Sequence, residues 1–170
     1  MEKQIINSTL ADIETLYTFY DEAIAYQKKV FHKNWLGFDR SLVETEIAEN
    51  RQFKILIDGE IACIFLITFN DAVIWKEKEN NDSIYLHRIV TKAQFKGQGF
   101  VNDIVAWAKQ YCKDNGKDFI RMDTWGDNLK LKEYYEGCGF TFLEIMNLDN
   151  TEGLPKHYKG TLALFEIPIK

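Results

Sequence analysis

The sequence predicts an α/β fold: a central mixed, twisted sheet of about seven strands flanked by about four helices, in one domain over residues 1–170. Three observations carry this expectation. Phe53, Ile55 and Ile57 alternate with polar residues up to Asp58-Gly59, and the apolar run Ile61–Phe69 returns beyond it, which is the pattern of a hairpin. Ser83–Thr91 reads as a buried strand that passes through a loop holding Gly97 and Gly99 into a long amphipathic helix ending at Gly116. Further strand-like runs follow, and no repeat, linker or low-complexity tract divides the chain.

Taken in order, Lys3–Ile6 forms a short first strand. Asn7 and Ser8 supply caps for a helix in which Leu10, Ile13, Leu16, Tyr17, Tyr20 and Ile24 recur at helical spacing, fading near Gln27. The aromatic-rich stretch KKVFHKNWLGFDR is less regular. Ser41 and Glu44 have capping-box spacing, and Leu42, Val43 and Ile47 mark a second, shorter helix. After the hairpin, residues 70–81 are a polar connection. Beyond the strand Ser83–Thr91 come a helix over Gly99–Asn115 capped by Gly116, a strand over Lys117–Thr124, and a short helix over Asn128–Glu136 ending at Gly137. Phe140–Met146 and Thr161–Ile167 are the last strands. The order β-α-α-β-β-β-α-β-α-β-β joins a meander to a β-α-β unit, so the sheet mixes pairing senses.

The bulk numbers exclude several classes. The composition is 46% apolar and 28% charged, with two prolines and a formal net charge of −5, which argues against non-specific nucleic-acid or anionic-membrane binding. The N-terminus MEKQIINSTLADIETL lacks a charged-then-apolar signal pattern, and Ile61–Phe69 is too short to span a bilayer. Cys63, Cys112 and Cys138 are odd in number, far apart and without a CxxC pair, so they read as small apolar fillers rather than disulfide or zinc ligands. The expected location is cytoplasmic.

A strand–glycine loop–helix join favours anions, because free helix N–H groups face a loop that a ligand can approach closely. The Walker pattern is absent, and Gly97-Gln98-Gly99 followed by Phe100, Val101 and Asn102 does not complete the dinucleotide pattern. The stretch LHRIVTKAQFKGQGFVNDIVAWAKQ instead resembles the acyl-CoA-binding motif of the GNAT-type N-acetyltransferase family, [Gln/Arg]-x-x-Gly-x-[Gly/Ala] opening a helix. Gln94-x-x-Gly97-x-Gly99 matches the letters. The strand-to-helix spacing favours Lys96-Gly97-Gln98-Gly99-Phe100-Val101, which turns Ile104, Val105 and Ala108 to the core. In that register Lys96 replaces Gln or Arg, and Val101 replaces a small residue. Downstream, NLKLKEYYEGCGF resembles a second family segment through Asn128, Tyr135, Gly139 and Phe140. The two segments with their flanking strands cover Ser83 to Phe142.

The resemblance implies a single-domain acyl-CoA N-acyltransferase-like fold. It implies an enzyme that moves an acetyl group from acetyl-CoA, as acyl donor, to a primary amine of a small molecule, peptide or protein, by direct attack through a tetrahedral intermediate and without a metal. By the same resemblance, Lys96, Gly97, Gln98, Gly99, Phe100 and Val101 hold the pyrophosphate. Ile89, Val90 and Thr91 offer backbone groups to the pantetheine arm where their strand splays at a bulge. One such N–H would stabilise the oxyanion, worth about 2.7–4 kcal/mol per donor. Asn128 bonds the arm, and Tyr135 adjoins the cofactor as general acid for the departing thiolate. Aromatic packing is the other reading of Tyr135, and a non-catalytic acyl-CoA-binding regulatory module is the alternative for the whole chain.

The attacking amine has an unperturbed pKa near ~10.4, so a base or a desolvating site is needed. Many relatives carry a glutamate at the position that falls on Tyr85 here. His87 lies two residues on, on the same strand face, with a suitable imidazole. Asp123 and Glu44 are further candidates. Against these stand a hydrogen-bonded structural histidine, a turn or cap aspartate and an exposed glutamate. Tyr26, Phe31, His32, Trp35 and Phe38, with Pro155, His157 and Tyr158, could wall an acceptor site or pack as a lip; Trp75 and Trp125 carry the same two readings. The last sheet edge could support a homodimer.

Overall fold

The computed structural model describes residues 2–148 and 160–169. Its strands are β1 (Lys3–Asn7), β2 (Gln52–Ile57), β3 (Glu60–Thr68), β4 (Ser83–Thr91), β5 (Phe119–Trp125), β6 (Thr141–Asn147) and β7 (Thr161–Pro168). They form one seven-stranded sheet in the order β1-β2-β3-β4-β5-β7-β6. β4 and β5 run parallel, while β1–β2, β2–β3, β5–β7 and β6–β7 are antiparallel. The expected mixed α/β sheet is therefore present. The helices are α1 (Ile13–Val30), α2 (Arg40–Ala48), α3 (Ala72–Trp75), α4 (Phe100–Asn115) and α5 (Leu129–Gly137).

Several local expectations need correction. The first helical turn is capped at Thr9, whose N–H donates to Asp12 Oδ2 at 2.8 Å, rather than at Asn7 or Ser8. Helix α1 runs to Val30, three residues past Gln27. Ser41 lies inside α2, which follows Asp39, and its carbonyl accepts from Thr45 Oγ1. Gly137 closes α5 from within, and the left-handed residue is Gly139 at φ +104°. A fifth helix, α3, occupies the 70–81 connection. Ile74 and Trp75 donate N–H to the Asp71 carbonyl, and both are buried. One turn is too short to leave a periodic signal.

The described chain groups into two compact units. In the first, residues 2–66 and 88–100, Ile13, Leu16, Phe19 and Tyr20 of α1 pack with Val43, Ile47, Ile64 and Val90. The apolar stripe of α1 explains the helix, and each such buried side chain contributes about 1.5–3 kcal/mol.

In the second unit, residues 67–87, 101–148 and 160–169, Ile74 and Trp75 pack with Tyr85, Met146, Leu162 and Leu164. Ile104, Val105 and Ala108 are buried, as the favoured motif register requires. Gly116, at φ +67°, ends α4 as expected, with the Lys117 N–H bonded to the Cys112 carbonyl at 2.9 Å. Among the described residues no helix is long and apolar enough to cross a membrane.

Candidate active site

The chain leaves β4 at Thr91, and the Lys92 N–H bonds to the Ala62 carbonyl at 2.9 Å. A short 3-10 turn over Ala93–Phe95 follows, then Gly97 at φ +85° and Gly99 at φ +72°, and α4 starts at Phe100. Two left-handed residues so close together require glycine. The N–H groups of Gly97, Gln98 and Gly99 meet no intrachain acceptor among the described residues. Lys3 Nζ fixes the loop from β1, donating to the Gln98 carbonyl at 2.7 Å and lying 5.1 Å from the Phe100 ring centroid. Lys96 Nζ lies over the Tyr26 ring at 3.6 Å. Gln94, the first letter of the other register, bonds to Glu60 at 3.2 Å in the β2–β3 hairpin.

Upstream, Arg88 stands at φ +49° inside β4, a conformation that strands do not otherwise tolerate. Its side chain is held by an ion pair with Glu46, a bond to Tyr20 Oη at 3.3 Å, and the face of Phe38 at 4.4 Å. Burial pushes the Glu46 carboxyl up, and Arg88 draws it back only in part. Past Arg88, Val90 enters the first core, Ile89 is half-buried, and Thr91 Oγ1 lies 3.7 Å from Cys63 Sγ. In the second unit, the β4–β5 ladder runs only from Ser83↔Phe119 to Tyr85↔Arg121.

The second motif segment forms α5 and the turn after it. Asn128 Oδ1 accepts the Leu131 N–H at 3.3 Å as N-cap, which leaves the side-chain amide as a donor. The Tyr135 ring is 9% exposed and packs edge-on against Phe140 and Phe165 at 6.1 and 5.8 Å. Gly139 lets the chain reverse, so that the Phe140 N–H reaches the Tyr135 carbonyl at 3.2 Å.

The base candidates separate clearly. Tyr85 Oη donates to Glu79 at 2.6 Å and accepts from Arg121 at 3.1 Å; burial, then the Glu79 bond, drives its pKa up. It is a structural link. Glu44 is exposed and pairs with Arg40 at 3.5 Å within α2. His87 Nε2 lies 3.8 Å from Asp71 Oδ2. Burial, then Glu79, pushes Asp71 up to about 7; burial, then Asp71, pushes Asp123 up to about 8. Asp123 lies mid-strand opposite Leu164, where a turn or cap role does not arise. Among the described residues no group of three or more His, Cys, Asp or Glu is arranged to hold a metal ion.

The Acetyltransferase (GNAT) family profile matches residues 11–140. The chain belongs to this family. A curated Bacillus subtilis relative, the uncharacterized N-acetyltransferase YesJ, is 27% identical over 111 residues, covering 63% of this chain and 62% of that protein's length. The fold matches a GNAT-family acetyltransferase structure from Listeria monocytogenes with TM-score 0.77 and 19% identity, covering 99% of this chain and 96% of that one. It also matches a Salmonella typhimurium acetyltransferase solved with its cofactor acetyl-CoA, with TM-score 0.69 and 11% identity over 100% and 95% of the two chains.

Within the second unit His87 lies beside Asp71, and Asp123 is buried in β5; in the first unit Glu44 is exposed on α2. Asp71, Arg88 and Glu46 were not visible as site residues in the sequence. The aspartate before AVIW was the available signal for Asp71, and a lone arginine in an apolar strand the signal for Arg88. Trp35 and Phe38 pack against the first core, with Arg88 on the Phe38 face, and Trp75 is core in the second unit. Trp125 packs against that core too. Tyr26 is exposed under Lys96, and the Phe31 ring lies tilted against His32 at 4.2 Å. Pro155, His157 and Tyr158 lie outside the described residues.

Proposed function

We propose that the chain transfers an acetyl group from acetyl-CoA to a primary amine. The observation that supports it most is the β4-to-α4 join. Gly97 and Gly99 hold consecutive backbone N–H groups out of pairing with the described residues at the start of a 16-residue helix. Oriented N–H groups and a helix dipole favour a pyrophosphate there. Acetyl-CoA supplies the activated thioester when bound, and it accompanies the Salmonella structural neighbour in its structure.

Within this reading, the Gly97–Val101 backbone holds the pyrophosphate and Lys96 contributes charge. Ile89, Val90 and Thr91, next to left-handed Arg88, offer main-chain groups to the pantetheine arm and to the thioester oxygen. Asn128 donates its free amide to the arm. Tyr135 Oη gives its proton to the departing thiolate, and His87 takes the proton of the incoming amine.

Calorimetry with acetyl-CoA, followed by thiol release over a panel of polyamines, amino acids and peptide amines, tests the proposal. Binding with release on one amine class is the expected result. Binding without release on any amine leaves the regulatory-module reading, and no binding removes both.

A further inference from the structure

Lys3 opens β1, an edge strand of the sheet, where it pairs with Ile57 of β2. Its half-buried side chain reaches a residue 95 positions further along the chain, within the first unit. Nζ donates to the Gln98 carbonyl at 2.7 Å, a short, charge-assisted bond, and stands 5.1 Å from the Phe100 ring centroid. Gln98 lies between Gly97 at φ +85° and Gly99 at φ +72°. The orientation of the Gln98–Gly99 peptide plane depends on ψ of Gln98 and φ of Gly99, and glycine accepts φ of either sign. A tether on the Gln98 oxygen therefore selects between orientations that the glycine alone leaves open.

In a trans peptide the C=O and the following N–H point in opposite directions. With the Gln98 oxygen bonded to Lys3, the Gly99 N–H is aimed away from that lysine, one residue before α4 begins at Phe100. There it joins the free N–H groups of the helix's first turn. The reversed peptide would set a carbonyl oxygen, the negative end of the dipole, among those donors, where it repels an anion. The flank of the loop is held differently. Lys92 and Gln94 bond Glu60 at 2.9 and 3.2 Å, and Lys96 lies over the Tyr26 ring at 3.6 Å. Those contacts fix residues 92–96 through their side chains, whereas Lys3 acts on the main chain between the two glycines.

We propose that Lys3 is a positioning residue of the anion-binding loop, selecting the Gln98–Gly99 peptide orientation that presents the Gly99 N–H to a pyrophosphate. The identity of the anion rests on the acetyl-CoA reading; the orientation of the peptide does not. A donor held in place before the ligand arrives loses no freedom on binding, so the tether acts on affinity rather than on the transfer step. Removing it lets the peptide populate both orientations, and affinity falls with the fraction that remains competent.

The test compares wild type with Lys3→Met and Lys3→Arg in the full chain, by NMR without ligand and by calorimetry with acetyl-CoA. In wild type, a coupling across the hydrogen bond should link the Lys3 ammonium nitrogen to the Gln98 carbonyl carbon. In Lys3→Met the Gly99 amide should shift and broaden, while that of Gly116, at the other end of α4, stays in place. Acetyl-CoA should then bind about five-fold more weakly, with KM raised and kcat unchanged. Lys3→Arg keeps a charged donor and should restore both the amide and the affinity. Wild-type affinity in Lys3→Met overturns the proposal. So does an unmoved Gly99 amide with a loss of affinity that salt abolishes, because Lys3 then acts by charge alone. If Lys3→Met does not fold, the wild-type coupling decides, and its absence overturns the tether. Inorganic pyrophosphate, titrated against the Gly99 amide, separates the two readings. If it shifts that amide in wild type and much less in Lys3→Met while acetyl-CoA does not bind, the positioning role stands and the acetyl-CoA reading alone falls. A wild type that binds neither removes both.

Discussion

Arg88 and Glu46 form a buried ion pair that holds the left-handed backbone of β4, with side chains only 9% and 4% exposed. Arg88 is at once the left-handed residue of the strand and the anchor of its own distortion. The strain of a non-glycine residue there costs about 1–3 kcal/mol, and the ion pair, the Tyr20 hydroxyl and the Phe38 face offset it.

Removing one partner should therefore be severe. Glu46→Ala leaves Arg88 buried and uncompensated, with an expected loss of about 3–5 kcal/mol in urea unfolding. Replacing both by an apolar pair, Arg88→Met with Glu46→Leu, should recover stability yet weaken acetyl-CoA binding. Wild-type affinity in the double variant would separate the Arg88 backbone from the cofactor site.

Buried Asp71 and Asp123 make stability depend on pH with a definite sign. Folded values of about 7 and 8 lie above the unfolded value near 3.8. Their stabilising contribution is complete below pH ~3.8 and is lost as pH rises through 7 to 8. Asp123→Asn should be relatively more stable against wild type at pH 8 than at pH 5, by more than about 1.4 kcal/mol. Denaturant midpoints at the two pH values measure it.

Gly97→Ala meets no atom within 4 Å, so its cost is conformational, about 1–2 kcal/mol. Gly59→Ala, at φ +82° in the hairpin turn and equally open, is the matched control. Both should lose similar stability in thermal unfolding. Gly97→Ala alone should lose acetyl-CoA affinity in calorimetry.

Tyr135→Phe keeps the ring contacts with Phe140 and Phe165, so the fold should be retained. If the hydroxyl is the general acid, kcat should fall about 100-fold or more with cofactor affinity retained. A fully active phenylalanine variant would return Tyr135 to the packing role.

Lys3→Met removes the bond to the Gln98 carbonyl while keeping an apolar stem near Phe100. Acetyl-CoA affinity should drop several-fold, about 1 kcal/mol, at unchanged kcat. Titration calorimetry at two salt concentrations separates loop fixation from lost charge.

By itself the sequence determined what depends on neighbours along the chain. Alternation around Asp58-Gly59 defined the hairpin, the spacing of Ile104, Val105 and Ala108 defined the inner face of α4, and Gly97, Gly99 and Gly116 marked turns that other residues strain to make. These signals repeat within a few residues, so they are legible locally. The tertiary structure decided what depends on strand order. Glu46 and Arg88 are 42 residues apart in the chain, and Asp71 and Asp123 are farther apart still. No local pattern reveals that an aspartate before a one-turn helix lies 3.8 Å from a histidine of β4. Burial then gives these groups their chemistry, because a carboxyl shifts its proton affinity only once packing has removed its water.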